Sequence, residues 1–127
     1  MSMSQPRGWD ARLDPPMDII RACVRECLDC HRVCLETVSQ LQGAGALVSV
    51  SGIRLIFDCA ELCRTTAGFL RGGSDLVRRA CALCAEACSR CADYCEGLDG
   101  GGQQVAACAK ALRRCAEACA TVASLAA

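Results

Sequence analysis

The chain has 127 residues, a length that favours one domain. Fourteen Lys and Arg balance fourteen Asp and Glu, and this zero net charge argues against a nucleic-acid binder, which needs a basic excess. Fourteen residues are cysteine, while Leu, Ile, Val and Phe together number only 27, so an aliphatic core is thin and the cysteines must help fill the interior.

Residues 1–15 contain no apolar run and no twin arginine, and are expected to form a flexible tail rather than an export signal. No segment has the length and hydropathy of a membrane span. The expected location is therefore the cytoplasm, where thiols stay reduced and dense cysteine signals metal or redox chemistry. Asp14-Pro15-Pro16 reads as an N-cap followed by a first-turn proline, opening a helix over 16–42 that stops at Gly43-Ala44-Gly45. A second helix is expected over 48–71, halted by Gly72-Gly73. Ser74 is a suitable N-cap for a third over 75–96, and the glycines at 100–102 precede a fourth over 103–125. Strand signals are nearly absent. Four similar helices joined by short loops predict an all-α, antiparallel up-down-up-down four-helix bundle over 16–127.

Helical phase places the cysteines. At 100° per residue, Cys23, Cys27, Cys30 and Cys34 share a stripe roughly 60° wide. Cys59 and Cys63 of the second helix lie about 40° apart, and Cys81, Cys84, Cys88, Cys91 and Cys95 of the third fall within about 80°. Cys108, Cys115 and Cys119 of the fourth span about 40°. Each helix thus turns its thiols to one side, where an ordinary bundle carries leucine. Ile19, Leu41, Val48, Leu70, Val77, Leu98, Val105 and Val122 extend the stripes, and charged residues such as Arg32, Glu36, Arg90 and Arg113 take the opposite faces. The cysteines are expected to line the core.

Four converging stripes of soft thiolate ligands favour Cu(I). Each Cu(I) is satisfied by two or three thiolates and each thiolate can bridge two ions, so capacity approaches roughly one ion per cysteine. Zinc prefers closed sets of four ligands, and fourteen thiols would hold only about three such ions. Each Cu(I) also replaces a thiol proton, which avoids burying bare anions. The alternatives are a zinc or iron–sulfur module, or a thiol redox protein using one of the Cys-x2-Cys pairs. In a helix that spacing simply marks one face. His31, at the flank of the first stripe, is either a rim ligand or a boundary histidine. Met17 could supply a thioether but fits better as a packing residue, and Trp9 reads as a docking or tail residue. No nucleophile–base pair or paired carboxylates can be assembled, so the chain is not expected to be an enzyme.

Three runs carry a resemblance: Cys59-Ala60-Glu61-Leu62-Cys63, Cys81-Ala82-Leu83-Cys84-Ala85-Glu86-Ala87-Cys88-Ser89-Arg90-Cys91-Ala92, and Cys115-Ala116-Glu117-Ala118-Cys119. Over about residues 19–122 the chain resembles the bacterial copper storage proteins, in their cytosolic branch. The resemblance implies a cysteine-lined four-helix bundle, many thiolate-bound Cu(I) ions, a homotetramer, and metal ingress at one end. This sequence departs from the family pattern between the third and fourth helices, where Asp99-Gly100-Gly101-Gly102-Gln103-Gln104-Val105 has neither cysteine nor histidine. Thr37, Leu41 and Leu112 also hold stripe positions where thiols would be expected. Leu41, Val48, Leu98 and Val105 are then expected to plug that end in part.

Overall fold

The computed structural model describes residues 8–9, 15–43 and 49–125. Four α-helices follow one another: α1 Met17–Gly43, α2 Val50–Gly72, α3 Val77–Glu96 and α4 Gly102–Leu125. Around the bundle α1 packs on α2 and α4, and α3 packs on the same two, leaving α1–α3 and α2–α4 as diagonals. This is the expected all-α four-helix arrangement, with cysteines at its centre.

The reason lies in a 3,4 spacing of one buried stripe on each helix, beside which only Val33 and six alanines are also buried. α1 buries Ile20, Cys23, Cys27, Cys30, Cys34, Thr37 and Leu41; α2 buries Gly52, Ile56, Cys59, Cys63, Thr66 and Leu70. α3 buries Val77, Cys81, Cys84, Cys88, Cys91 and Cys95, and α4 buries Val105, Cys108, Leu112, Cys115, Cys119 and Val122. These are a/d positions of a heptad, the pattern that packs helices nearly antiparallel with interdigitated side chains. Ile20, not Ile19, opens the α1 stripe: Ile20 is 2% exposed, whereas Ile19 is only half-buried. Cys23 follows Ile20 by three positions, the step the heptad requires.

Helix ends follow local chemistry. The Ser49 hydroxyl accepts from the Gly52 amide at 3.0 Å and starts α2 at Val50. Val48, expected to begin that helix and plug its end, lies outside the described residues, as does the Asp14 cap. At the end of α2, Gly73 adopts φ 63°. The Gly73 amide donates to Leu70 O, and the Ser74 amide to Phe69 O at 3.1 Å, a left-handed cap that needs glycine. Ser74 accepts from the Leu76 amide at 3.1 Å, but its carbonyl also accepts from the Val77 amide. It therefore closes a single turn, and α3 starts at Val77, two residues later than expected.

Of the 1–15 segment, Gly8, Trp9 and Pro15 are described, and the first two touch the bundle. Trp9 Nε1 donates to Leu70 O at 2.7 Å, and Gly8 lies against Gly73, where a Cβ would collide with the Gly8 backbone. On the outer faces Arg113 of α4 pairs with Asp93 and Glu96 of α3, and Arg114 pairs with Glu26 and Asp29 of α1. Exposed pairs of this kind each contribute on the order of 0–1 kcal/mol, so they set register more than stability.

Candidate metal centre

All fourteen predicted ligands are free thiols and all are buried: Cys23, Cys27, Cys30, Cys34, Cys59, Cys63, Cys81, Cys84, Cys88, Cys91, Cys95, Cys108, Cys115 and Cys119. The most accessible is Cys95, at 2%. The sulfurs form a continuous column. Cys23 and Cys27 lie 3.7 and 3.6 Å from Cys119, Cys115 lies 3.8 Å from Cys27 and 3.7 Å from Cys63, and Cys63 lies 3.8 and 3.7 Å from Cys84 and Cys88. Further along, Cys30 and Cys34 are 3.9 Å apart, and so are Cys34 and Cys108. A disulfide needs about 2.05 Å, so these are thiol contacts of the kind one metal ion can bridge.

Three groups are compact enough for each to close on one ion: Cys23/Cys81/Cys119, Cys27/Cys84/Cys115/Cys119 and Cys30/Cys63/Cys88/Cys115. Cys119 belongs to the first two and Cys115 to the last two. This sharing separates the metal classes better than spacing does. Separate zinc tetrahedra each need their own four ligands, whereas soft Cu(I) thiolate chemistry suits a chain of shared sulfurs. The remaining thiols, Cys34, Cys59, Cys91, Cys95 and Cys108, continue the column toward the α3–α4 connection.

In the dry interior the thiols divide into hydrogen-bond donors and acceptors. The Cys108 thiol is pulled down to about 4, first by its bond to Cys34 and then by Cys95. Cys59 is pulled down by Cys88 and Cys91, yet its thiol donates to Ala87 O at 3.3 Å and so keeps its proton in the metal-free bundle. The partners of Cys108 move the opposite way. Cys34 is pushed up by its bond to Cys108, and Cys95 rises to about 12 through its bond to Cys108 and through burial.

Both ends of the column are closed by apolar side chains. Ile20, Leu70, Val77 and Val122 cap one end, and Leu41 and Val105, with half-buried Leu98, sit at the other. Beside Cys95 a surface cavity of about 340 Å³ is lined by Leu98, Gly101, Val105 and Lys110 among others. His31 faces the α1–α2 seam, where its Nδ1 donates to Ala60 O at 2.8 Å; a carbonyl only accepts, which fixes the proton on Nδ1. It belongs to none of the three close ligand groups. Met17 is 40% exposed and lines a surface groove with Trp9 and Arg21.

Sequence reasoning missed Thr66. It lies seven residues after Cys59 and three after Cys63, on the same stripe, and is fully buried. The heptad spacing alone would have found it. Thr37, which it did single out, is buried beside the column and donates to Val33 O at 2.7 Å while accepting from Gln104 Nε2 at 2.9 Å.

A four-helix bundle with a continuous interior column of reduced thiols defines a protein that binds soft metal ions in numbers. The chain belongs to the copper storage protein family, whose family model matches residues 12–124. It is similar to the crystal structure of the Nmul_A1745 protein from Nitrosospira multiformis, at 36% identity and a TM-score of 0.80, covering 87% of this chain and 99% of that one. It is also similar to the Cu(I)-bound copper storage protein BsCsp3, at 31% identity and a TM-score of 0.77, covering 83% of this chain and 98% of that one. A Bacillus subtilis protein described as the uncharacterized cysteine-rich protein YhjQ is 34% identical over 66 residues; the match spans 61% of that relative's length.

Proposed function

We propose that the chain stores and buffers Cu(I), taking up many ions on thiolates inside the bundle. The observation that carries this reading is the sharing of Cys115 and Cys119 between adjacent close groups, which makes the column one extended site rather than several closed ones. All fourteen cysteines serve as terminal or bridging ligands, at a capacity of roughly one ion per thiol. Each Cu(I) displaces a thiol proton, so the loaded interior carries little net charge. The protein acts in the cytoplasm, as a homotetramer and without catalysing a reaction. Support for this comes from membership of the copper storage protein family.

Native mass spectrometry of the reduced protein, loaded without oxygen with either Cu(I) or Zn(II), tests the reading. A ladder of many copper ions, with at most about three zinc ions, is expected, on a mass corresponding to four chains. A zinc-filled protein that takes up only a few copper ions would favour a zinc module instead. A single-chain mass would overturn the tetramer alone.

A further inference from the structure

The level at Cys30, Cys63, Cys88 and Cys115 draws one sulfur from each of the four helices. Toward the α1 N-terminus this symmetry stops. The Cys27/Cys84/Cys115/Cys119 and Cys23/Cys81/Cys119 groups take sulfurs from α1, α3 and α4 only. On α2 the stripe residue that follows Cys63 is Thr66, and the next is Leu70. Thr66 thus stands at the corner of the column where α2 supplies no thiol.

Its hydroxyl is anomalous. Thr66 is 0% exposed, and Thr66 Oγ1 is the one buried side-chain nitrogen or oxygen among the described residues without a hydrogen-bond partner. A helical threonine ordinarily donates to the carbonyl four residues back, as Thr37 does to Val33 O at 2.7 Å and Thr121 to Glu117 O at 3.0 Å. An unmade hydrogen bond in a dry core is costly, and such a group calls for an explanation. The thiols around it are weak acceptors, whereas a thiolate is a charged and much better one.

We infer that Thr66 is a positioning residue of the copper column: one step along α2 from Cys63, its hydroxyl donates to a thiolate of the adjoining Cys27/Cys84/Cys115/Cys119 level once Cu(I) has replaced the thiol protons. This rests on the Cu(I)-storage reading. At each sulfur the S–H bond breaks, an S–Cu bond forms and the proton passes to the buffer; no electron is transferred, and Thr66 keeps its own proton.

The test compares the wild type with Thr66→Val and Thr66→Ser, by melting the apo and fully Cu(I)-loaded forms and by stepwise copper removal with a competing chelator. Thr66→Val removes the orphan hydroxyl, so its apo form is expected to melt a few degrees above the wild type. Its loaded form is expected to melt below the wild type, and the ions of this level to be withdrawn at about tenfold lower chelator excess. Thr66→Ser retains the donor and should hold copper as the wild type does. A purely structural role would shift apo and loaded forms in the same direction. Such parallel shifts, or copper retention by Thr66→Val equal to the wild type, would overturn the inference while leaving the storage reading intact. If Thr66→Val does not fold, Thr66→Ala against Thr66→Ser makes the same comparison of copper retention. Uptake of three or fewer copper ions by the wild type would remove the storage reading, and this inference with it.

Discussion

The sulfurs of Cys63 on α2 and Cys115 on α4 lie 3.7 Å apart across the diagonal of the bundle, although those two helices share no backbone contact. The axis of the molecule is therefore occupied by sulfur, and a ligand from each helix can reach an ion placed there. Cys115 also closes the adjacent group with Cys27, Cys84 and Cys119.

That double membership sets up a graded loss of capacity. Replacing Cys115 by Ala is expected to remove about two copper ions per chain, because two adjacent levels lose a bridging sulfur. Replacing Cys95, at the edge of the column, should remove about one. Metal analysis of the two loaded variants after gel filtration makes the comparison. Equal losses would mean that the ions do not share thiolates.

Stability should depend on cargo. The core is built from small thiols where other bundles use leucine, so the apo protein lacks much of the usual apolar burial. A ligand held only by the folded state adds roughly 2.7 kcal/mol for each site at a hundredfold excess over Kd. Full loading is therefore expected to raise the melting temperature by about 10 °C or more. Identical melting of apo and loaded protein would show that the bundle is stabilised independently of metal.

Proton linkage gives the apo protein a distinctive alkaline behaviour. Cys95 rises from the ordinary 9.0 to about 12 because it donates to Cys108 and is buried. The fold then retains a proton that the unfolded chain releases, so this stabilisation is complete below pH 9 and is lost as pH rises toward 12. Cys108, lowered to about 4 first by Cys34, acts in the opposite sense: its contribution is complete above pH 9 and is lost as pH falls through 4. The apo melting temperature is accordingly expected to fall from pH 9 upward, while the copper-loaded form, whose thiol protons are gone, stays level. An apo profile that is flat across pH 9–11 would contradict the assigned donor role of Cys95.

Gly52 tests the packing of α2 on the column's far end. A Cβ there would overlap the hydroxyl and ring of Tyr94. Gly52→Ala should gain up to about 1 kcal/mol in helix propensity but lose about 1–3 kcal/mol to the overlap. A net destabilisation of about 1–2 kcal/mol in denaturant unfolding is expected, and truncating Tyr94 to Ala in the same chain should relieve the overlap. A stabilised single variant would show that Tyr94 moves aside freely.

Much of this was legible in the sequence because cysteine spacing and helix period coincide. The steps from Cys23 to Cys34 and from Cys81 to Cys95 fix one face of each helix without any tertiary knowledge. What escaped depended on the third dimension. The choice of Ile20 over Ile19 follows from continuing the heptad backward, which angular bins blur, since both residues flank the stripe. Ser74 does provide a cap, but for a single turn, because its carbonyl is already engaged by the Val77 amide. The docking of Trp9 onto Leu70 O joins residues 61 positions apart, and no local pattern encodes it. Nor could spacing reveal that Cys115 and Cys119 each serve two levels, or that the Thr66 hydroxyl lacks a partner. Both emerge only when four stripes meet.

The central claim is an extended Cu(I) site rather than a few separate ones. Anaerobic titration of the fully reduced protein with Cu(I), against a chelator of known affinity, tests it most directly. Tight uptake approaching one ion per cysteine, about fourteen per chain, is the expected result. Saturation at one to three ions would contradict it.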